Sequence, residues 1–291
     1  MSRGRRALAA WIYLAAAGCG TDAPEPLPDL PVGSDADTAS TRQGDTQPPD
    51  LSPAPDVEPD VSPPPFGEVT LDPEAKKPPL LLSSTQLIRW DGAKITYHPE
   101  AFPYTINMPL FSDYALKDRA IWIPLGSAAA YEPNAAFAFP PGTIVLKSFL
   151  YPADLRAPDE NLRLIETRLL VMTSEGWKTW PYVWNAEGTE ATLKVSGVVL
   201  NIDFIDLNGE PETAHYMIPQ KNQCVDCHEK KHTDGTRFNV AIGLKARHLN
   251  RLADPADPGS NQLTSLAARG MLTGLPPLEE VPQSFDASGL D

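Results

Sequence analysis

The stretch Cys224-Val225-Asp226-Cys227-His228 constrains this chain more than any other. Two thiols separated by two residues, followed at once by an imidazole, can trap haem: each sulfur forms a thioether to a vinyl group, and the histidine meets the iron from one side. The two vinyl groups lie on neighbouring edges of a flat macrocycle. A short helical turn therefore presents both sulfurs to that edge and carries His228 under the metal. Other uses of the same residues are less well served. A zinc ribbon needs a second ligand pair, and the third cysteine of the chain is the distant Cys19. A Cys2His2 site would draw on His228 and His232 at poor spacing, and a thioredoxin-like pair wants a βαβ context and does not require the histidine. The motif predicts one covalent haem c bound through Cys224, Cys227 and His228.

Covalent haem implies export, and residues 1–19 read as an export signal. Arg3, Arg5 and Arg6 form a positive start, and Ala7 to Ala17 form an apolar core of 11 residues, too short to span a bilayer as a helix. It ends in Ala16-Ala17-Gly18-Cys19, which resembles the lipobox of bacterial lipoproteins, with Ala16 where Leu is commoner. Acylation of Cys19 would tether an exported protein to a membrane, in the periplasm or at the outer membrane. The plainer alternative is an ordinary signal peptide with Cys19 incidental. Haem c is attached to unfolded exported chains, which favours the general secretory route over a twin-Arg route through Arg5-Arg6.

Composition then divides the rest. Residues 20–79 hold 15 of the 32 prolines and 13 acidic residues against Arg42, Lys76 and Lys77. Such a stretch has too little apolar surface to offset the entropy of ordering, so it reads as a disordered, semi-extended tether. The whole chain carries a formal charge of −14. That balance argues against nucleic acid as a partner and suits a basic redox partner protein.

From residue 80 the texture is that of an α+β chain: an antiparallel β-rich domain over 80–218, then a short helical haem-binding segment over 219–291. A short helix is expected to open Leu80 to Trp90, capped by Ser83 or Ser84. Strands are expected at Ala120 to Ile123, Thr143 to Tyr151, Leu162 to Thr173, Lys178 to Trp184, Thr192 to Asp206 and Thr213 to Ile218. Turns fit between them at Pro140-Pro141-Gly142, Ser174-Glu175-Gly176, Asn185 to Gly188 and Asn208-Gly209. Ile242 to Leu252 and Gln262 to Arg269 have helical spacing, and the Pro-rich end from Gly274 reads as loose. Glu166 with Arg168 and Arg163 reads as a solvent face or a structural pair. Trp177, Trp180 and Trp184 read as packing residues, with sugar binding as the alternative.

Several phrases resemble a family of exported bacterial c-type cytochromes, usually di-haem, in which a strand-rich region precedes the haem motifs. They include Asn107-Met108-Pro109-Leu110-Phe111-Ser112-Asp113, Phe139-Pro140-Pro141-Gly142-Thr143, Ile165-Glu166-Thr167-Arg168-Leu169-Leu170 and Trp180-Pro181-Tyr182-Val183-Trp184-Asn185. Asn222-Gln223-Cys224, Ile242-Gly243-Leu244-Lys245-Ala246-Arg247, Asn261-Gln262-Leu263 and Gly270-Met271-Leu272 extend the match. The family carries a second CxxCH after the Gly-Met-Leu region, and this sequence stops at Asp291 before one, so the second haem is not carried over: the expectation is a mono-haem variant or a fragment whose missing part is encoded next door.

The second axial ligand has three candidates beyond His228: His232, His248 and Met271. Met271, in the loop Gly270-Met271-Leu272-Thr273-Gly274, is the expected ligand, because small cytochromes c bring a Met back over the iron from such a loop; its alternative is core packing. His215 and Met217 precede the motif and are weaker. No nucleophile–base pair or phosphate loop stands out. The chain reads as a non-catalytic electron-transfer protein or an oxidoreductase subunit; the alternative is a cell-surface module whose β domain binds carbohydrate or a partner protein, its haem serving an associated oxidoreductase.

Overall fold

The computed structural model describes residues 64–75, 77–220, 223, 228–231, 234–253 and 259–285. The leader, Cys19, most of the acidic tract, His232, Cys224 and Cys227 lie outside them. The described residues all belong to the unit Ser62–Asp291.

Antiparallel strands dominate. A small hairpin, β1 (Ile88–Trp90) with β2 (Ile95–Tyr97), precedes β3 (Phe102–Pro103), β4 (Leu116–Trp122) and the two-residue β5 (Ala129–Ala130). The long strands follow: β6 (Ile144–Tyr151), β7 (Arg163–Thr173) and β8 (Gly176–Trp184), then β9 (Ala191–Leu193). Strands β3, β4, β6, β7, β8 and β9 form one six-stranded sheet in that order. Beyond it come the hairpin β10 (Val198–Ile205) with β11 (Pro211–Ile218), the hairpin β12 (Glu229–Lys231) with β13 (Arg237–Asn239), helices α1 (Ala246–Leu249) and α2 (Gln262–Ala268), and β14 (Leu272–Thr273), parallel to β5. The turn before β6 needs its glycine: Gly142 has φ 91°, and a Cβ there would lie 2.8 Å from Pro124 Cγ.

The period-2 alternation of the long strands gives the sheet two buried faces. Ile144, Leu146, Leu169, Val171 and Trp180 point to one, where β1 and β2 cover them. On the other, Ile121, Val145, Leu170 and Trp177 meet Leu244, Leu249, Leu263 and Met271 from the C-terminal segment. Further along that same face, Phe149 and Ile165 meet Ile202, Phe204 and Tyr216 of the β10–β11 hairpin. The C-terminal segment is thus not a separate body: it completes the core of the sheet.

Five expectations need correction. The expected strand Thr192 to Asp206 is two strands, because the chain turns at Gly197, whose φ is 69° and where a Cβ would meet the Ile218 carbonyl oxygen at 2.8 Å. The helix at the start of the domain is one 3-10 turn, Ser83–Thr85, ended by Gln86 at φ 59°. Neither serine caps it, since the Ser83 hydroxyl donates to Glu190 and that of Ser84 to the Leu81 carbonyl. Helix α1 has only four residues because Lys245, extended at φ −120° and ψ 149°, is bridged to Ala136, and Leu252 is bridged to Asn261. Order also begins before residue 80: Leu71 is 7% exposed and the Gly67 amide donates to the Gln86 side chain. Lastly, the Pro-rich end is packed as far as residue 285, with Val281 buried and its carbonyl accepting from Asn250.

Two buried amides explain phrases that composition leaves opaque. Gln262 accepts from the Thr105 amide and donates to the Thr105 and Leu249 carbonyls, while Asn261 caps α2 by accepting from Leu263 N. Asn107 donates to the carbonyls of Arg247, Asn250 and Ser284, tying the loop after β3 to α1 and to the chain end. Asn107→Ala removes a donor shared by three carbonyls, two of which keep the Ser284 amide and the Gln283 side chain, so a loss of about 1 kcal/mol is expected, the net worth of a typical hydrogen bond. A loss of that size is the expected result in urea unfolding, and a variant matching wild type within 0.5 kcal/mol would show that the tie contributes nothing.

Candidate functional site

His228 sits where the chain enters β12. The β12–β13 pairing extends one step past the strands, with the Val240 amide donating to the His228 carbonyl at 2.8 Å. The imidazole uses the same residue: Nδ1 lies 2.8 Å from the Val240 carbonyl oxygen. A carbonyl only accepts, so Nδ1 carries the proton and Nε2 keeps its lone pair. Burial lowers the pKa of His228 below its ordinary value, and the charges of Lys147 and Arg168 act in the same direction, against the bond to Val240. The hairpin is fastened to the sheet by Asn239, which donates to the Trp177 carbonyl, and across itself by the Arg237–Glu229 ion pair at 2.6 Å.

His228 faces a cavity of about 610 Å³. Its floor is the sheet, at Arg119, Val145, Lys147, Arg168 and Leu170. Ile106, Met108 and Leu110 close one side, Met217 and Pro219 from the end of β11 another, and the 241–245 stretch with His248 a third. Apolar side chains at the mouth stand open, with Met108 48%, Met217 57% and Leu110 63% exposed. A shallower recess of about 290 Å³ beside Ala153 and the β10–β11 turn offers neither imidazole nor cation.

The cavity brings His228 and His248 together and adds Met217, but Met271 is not part of its lining. Met271 lies in the core beside Leu266 and Leu272, its amide bonded to the Leu266 carbonyl and its carbonyl accepting from Ala129. His248 has its backbone held at both ends, by the Lys245 carbonyl and by the Asn107 amide, and its Nδ1 is buried with no hydrogen-bond partner among the described residues. Burial, with Arg247 and Lys245 nearby, lowers its pKa. His215 is bonded to Asn201, away from the cavity.

The charged residues of the floor were not legible as a site. Glu166 is not on a solvent face: it is 0% exposed and accepts from Arg168 Nε at 2.6 Å, Arg168 Nη2 at 2.9 Å and the Tyr216 hydroxyl at 3.0 Å. Burial and the carboxylate beside it raise the Tyr216 pKa far above the usual phenol value, so the hydroxyl stays a donor. Lys147, over the Phe149 ring, is pushed down to about 7 by burial and by the Arg119 and Arg168 charges. The signal available in sequence was a cation at matching parity on three neighbouring strands, which needs the register to be read. The tryptophans form no exposed row: Trp177 and Trp180 are buried, and Trp184 donates to Thr167. No helix among the described residues is long and apolar enough to cross a membrane. Compared with known proteins, the chain matches no family model, no curated protein and no solved structure.

Proposed function

We propose that this chain is an exported, membrane-tethered c-type cytochrome that carries one covalent haem and relays electrons. One observation carries the reading: the histidine of the CxxCH motif faces a largely apolar cavity with Nδ1–H committed to a backbone carbonyl and Nε2 left for a metal. A fixed hydrogen bond on the far nitrogen is what orients an axial imidazole and makes it a better ligand. The cavity volume of about 610 Å³ suits a cofactor, such sites spanning roughly 300–1,000 Å³. Cys224 and Cys227 would supply the thioethers, His228 one axial nitrogen and His248, rather than Met271, the other. Haem so held supplies one-electron chemistry at iron. Ile106, Val145 and Leu170 would keep water from that metal, and the exposed Met108, Leu110 and Met217 would be covered by the ring. Acylation of Cys19 would hold the protein at a membrane, and the charge of −14 suits a basic redox partner.

The test is maturation in a host that attaches haem c. The expected product keeps its colour through denaturing electrophoresis and gives a c-type pyridine haemochrome, while Cys227→Ala gives neither. Acid-acetone extraction that strips all colour from the mature protein would overturn the reading. In the same preparations Cys19→Ser should move the protein to the soluble fraction, and an unchanged distribution would remove the lipid anchor.

A further inference from the structure

We infer that Arg119, Lys147 and Arg168 form a carboxylate clamp on the cavity floor, which holds the acid groups on one edge of a flat, otherwise apolar tetrapyrrole. This deepens the cytochrome reading and rests on it for the identity of the ring. The sheet register places the three cations in one row: Arg119 is directly opposite Lys147, and Lys147 directly opposite Arg168. Side chains so paired have Cβ atoms roughly 5 Å apart, and like charges in that position destabilise a sheet. All three line the cavity, and Arg119 is only 7% exposed. Glu166 pairs with Arg168 and with no other member of the row. Both its oxygens are taken by Arg168, one of them also by Tyr216, and the ion pairs among the described residues include neither Arg119 nor Lys147. Arg119 itself donates only weakly, to the Lys117 carbonyl at 3.3 Å.

Position along the sheet says what the row is for. On β6 the inward side chains are Val145, Lys147 and Phe149; Val145 belongs to the core under the C-terminal segment and Phe149 to the core under the β10–β11 hairpin. The cations therefore lie between two apolar cores, on a floor that continues into Val145 and Leu170. A ligand that fits must be apolar over most of its area and anionic at one edge. A small free anion would leave the apolar walls uncovered, and a neutral apolar body would leave Arg119 and Lys147 without a counter-ion among the described residues. Haem meets both requirements, because its two carboxylates leave one edge of an apolar disc. Charge-assisted bonds from guanidinium and ammonium are the strong kind, and the fork of Arg119 suits a carboxylate.

The test compares Lys147→Gln and Arg119→Gln with Arg163→Gln, an exposed charge on β7 outside the cavity. In the mature protein the row variants are expected to shift the propionate bending bands in resonance Raman and to lower the midpoint potential, since a positive charge beside the iron favours the ferrous form. Arg163→Gln should change neither. In a second arm, full-length chain with Cys224→Ala and Cys227→Ala is titrated with metal-free protoporphyrin and with its dimethyl ester, following tryptophan fluorescence. The diacid should bind at least about tenfold more tightly than the ester, and that preference should vanish in the Arg119→Gln/Lys147→Gln double variant. Unmoved Raman bands and potential in the row variants would overturn the clamp even with haem covalently bound. Equal binding of acid and ester by folded chain would do the same. Loss of covalent haem with the acid preference intact would instead sink the electron carrier and leave the clamp standing. Should the double alanine chain fail to fold, the mature protein decides alone.

Discussion

Glu166→Gln is expected to cost about 3–5 kcal/mol of folding stability, the usual consequence of removing one partner from a buried ion pair. The carboxylate is fully buried and accepts three hydrogen bonds, two from Arg168 and one from Tyr216. Glutamine keeps the shape but not the charge, and its amide nitrogen would turn donors towards donors. Arg168 would then stand directly opposite Lys147 without its counter-ion. The contrast is Arg156→Gln at the Asp154 pair, where the side chains are 52% and 30% exposed and solvent screens the charges, so no measurable change is expected. Urea unfolding of both variants provides the measurement. Glu166→Gln within 1 kcal/mol of wild type would show that the network is not what joins the sheet to the β10–β11 hairpin. A second substitution, Lys147→Met, should recover part of the loss, because it removes the facing charge; additive effects would deny that coupling.

That network also marks the boundary of what sequence can reveal here. The long strands were legible because the pattern that defines them is local: alternation with a period of two, stopped by Pro-Pro-Gly, Ser-Glu-Gly and Asn-Gly turns, is carried by neighbouring residues. The break before Val198 was not, because the reason for Gly197 is a contact with the Ile218 carbonyl, 21 residues away by number. Helix α1 was overextended for a related cause: Ile242 to Leu252 has helical spacing, but the bridge from Lys245 to Ala136 keeps the first part extended. The site divides in the same way. CxxCH is visible because its chemistry needs fixed spacing within five residues. The cation row is spread over three strands, and each member alone looks like an ordinary surface charge until the register lines up Arg119, Lys147 and Arg168. The Met271 expectation came from loop composition, and composition cannot say that this loop turns into the core beside β5.

In the haem-loaded protein proposed above, His248→Ala is expected to convert a low-spin ferric spectrum to high spin and to open the ferrous form to carbon monoxide. His248 lines the cavity that His228 faces, and one of its ring nitrogens is buried without any hydrogen-bond partner among the described residues. Its backbone is fixed by Lys245 and Asn107, so the ring is presented from a rigid point rather than from a loop that must move. Met271 has its backbone held as firmly, but in the core, and it is not part of that cavity's lining. Met271→Ala should leave the spectrum and the carbon monoxide response unchanged while costing about 2–5 kcal/mol as a core truncation. Two histidines would also set a lower reduction potential than a histidine–methionine pair, which would suit the proposed electron carrier to higher-potential acceptors. Opposite behaviour of the two variants, with Met271→Ala opening the iron and His248→Ala silent, would return the axial site to the methionine and require the 270–274 loop to leave its core position. Wild type that binds carbon monoxide without any substitution would exclude both residues, and the function would move from electron relay to ligand sensing.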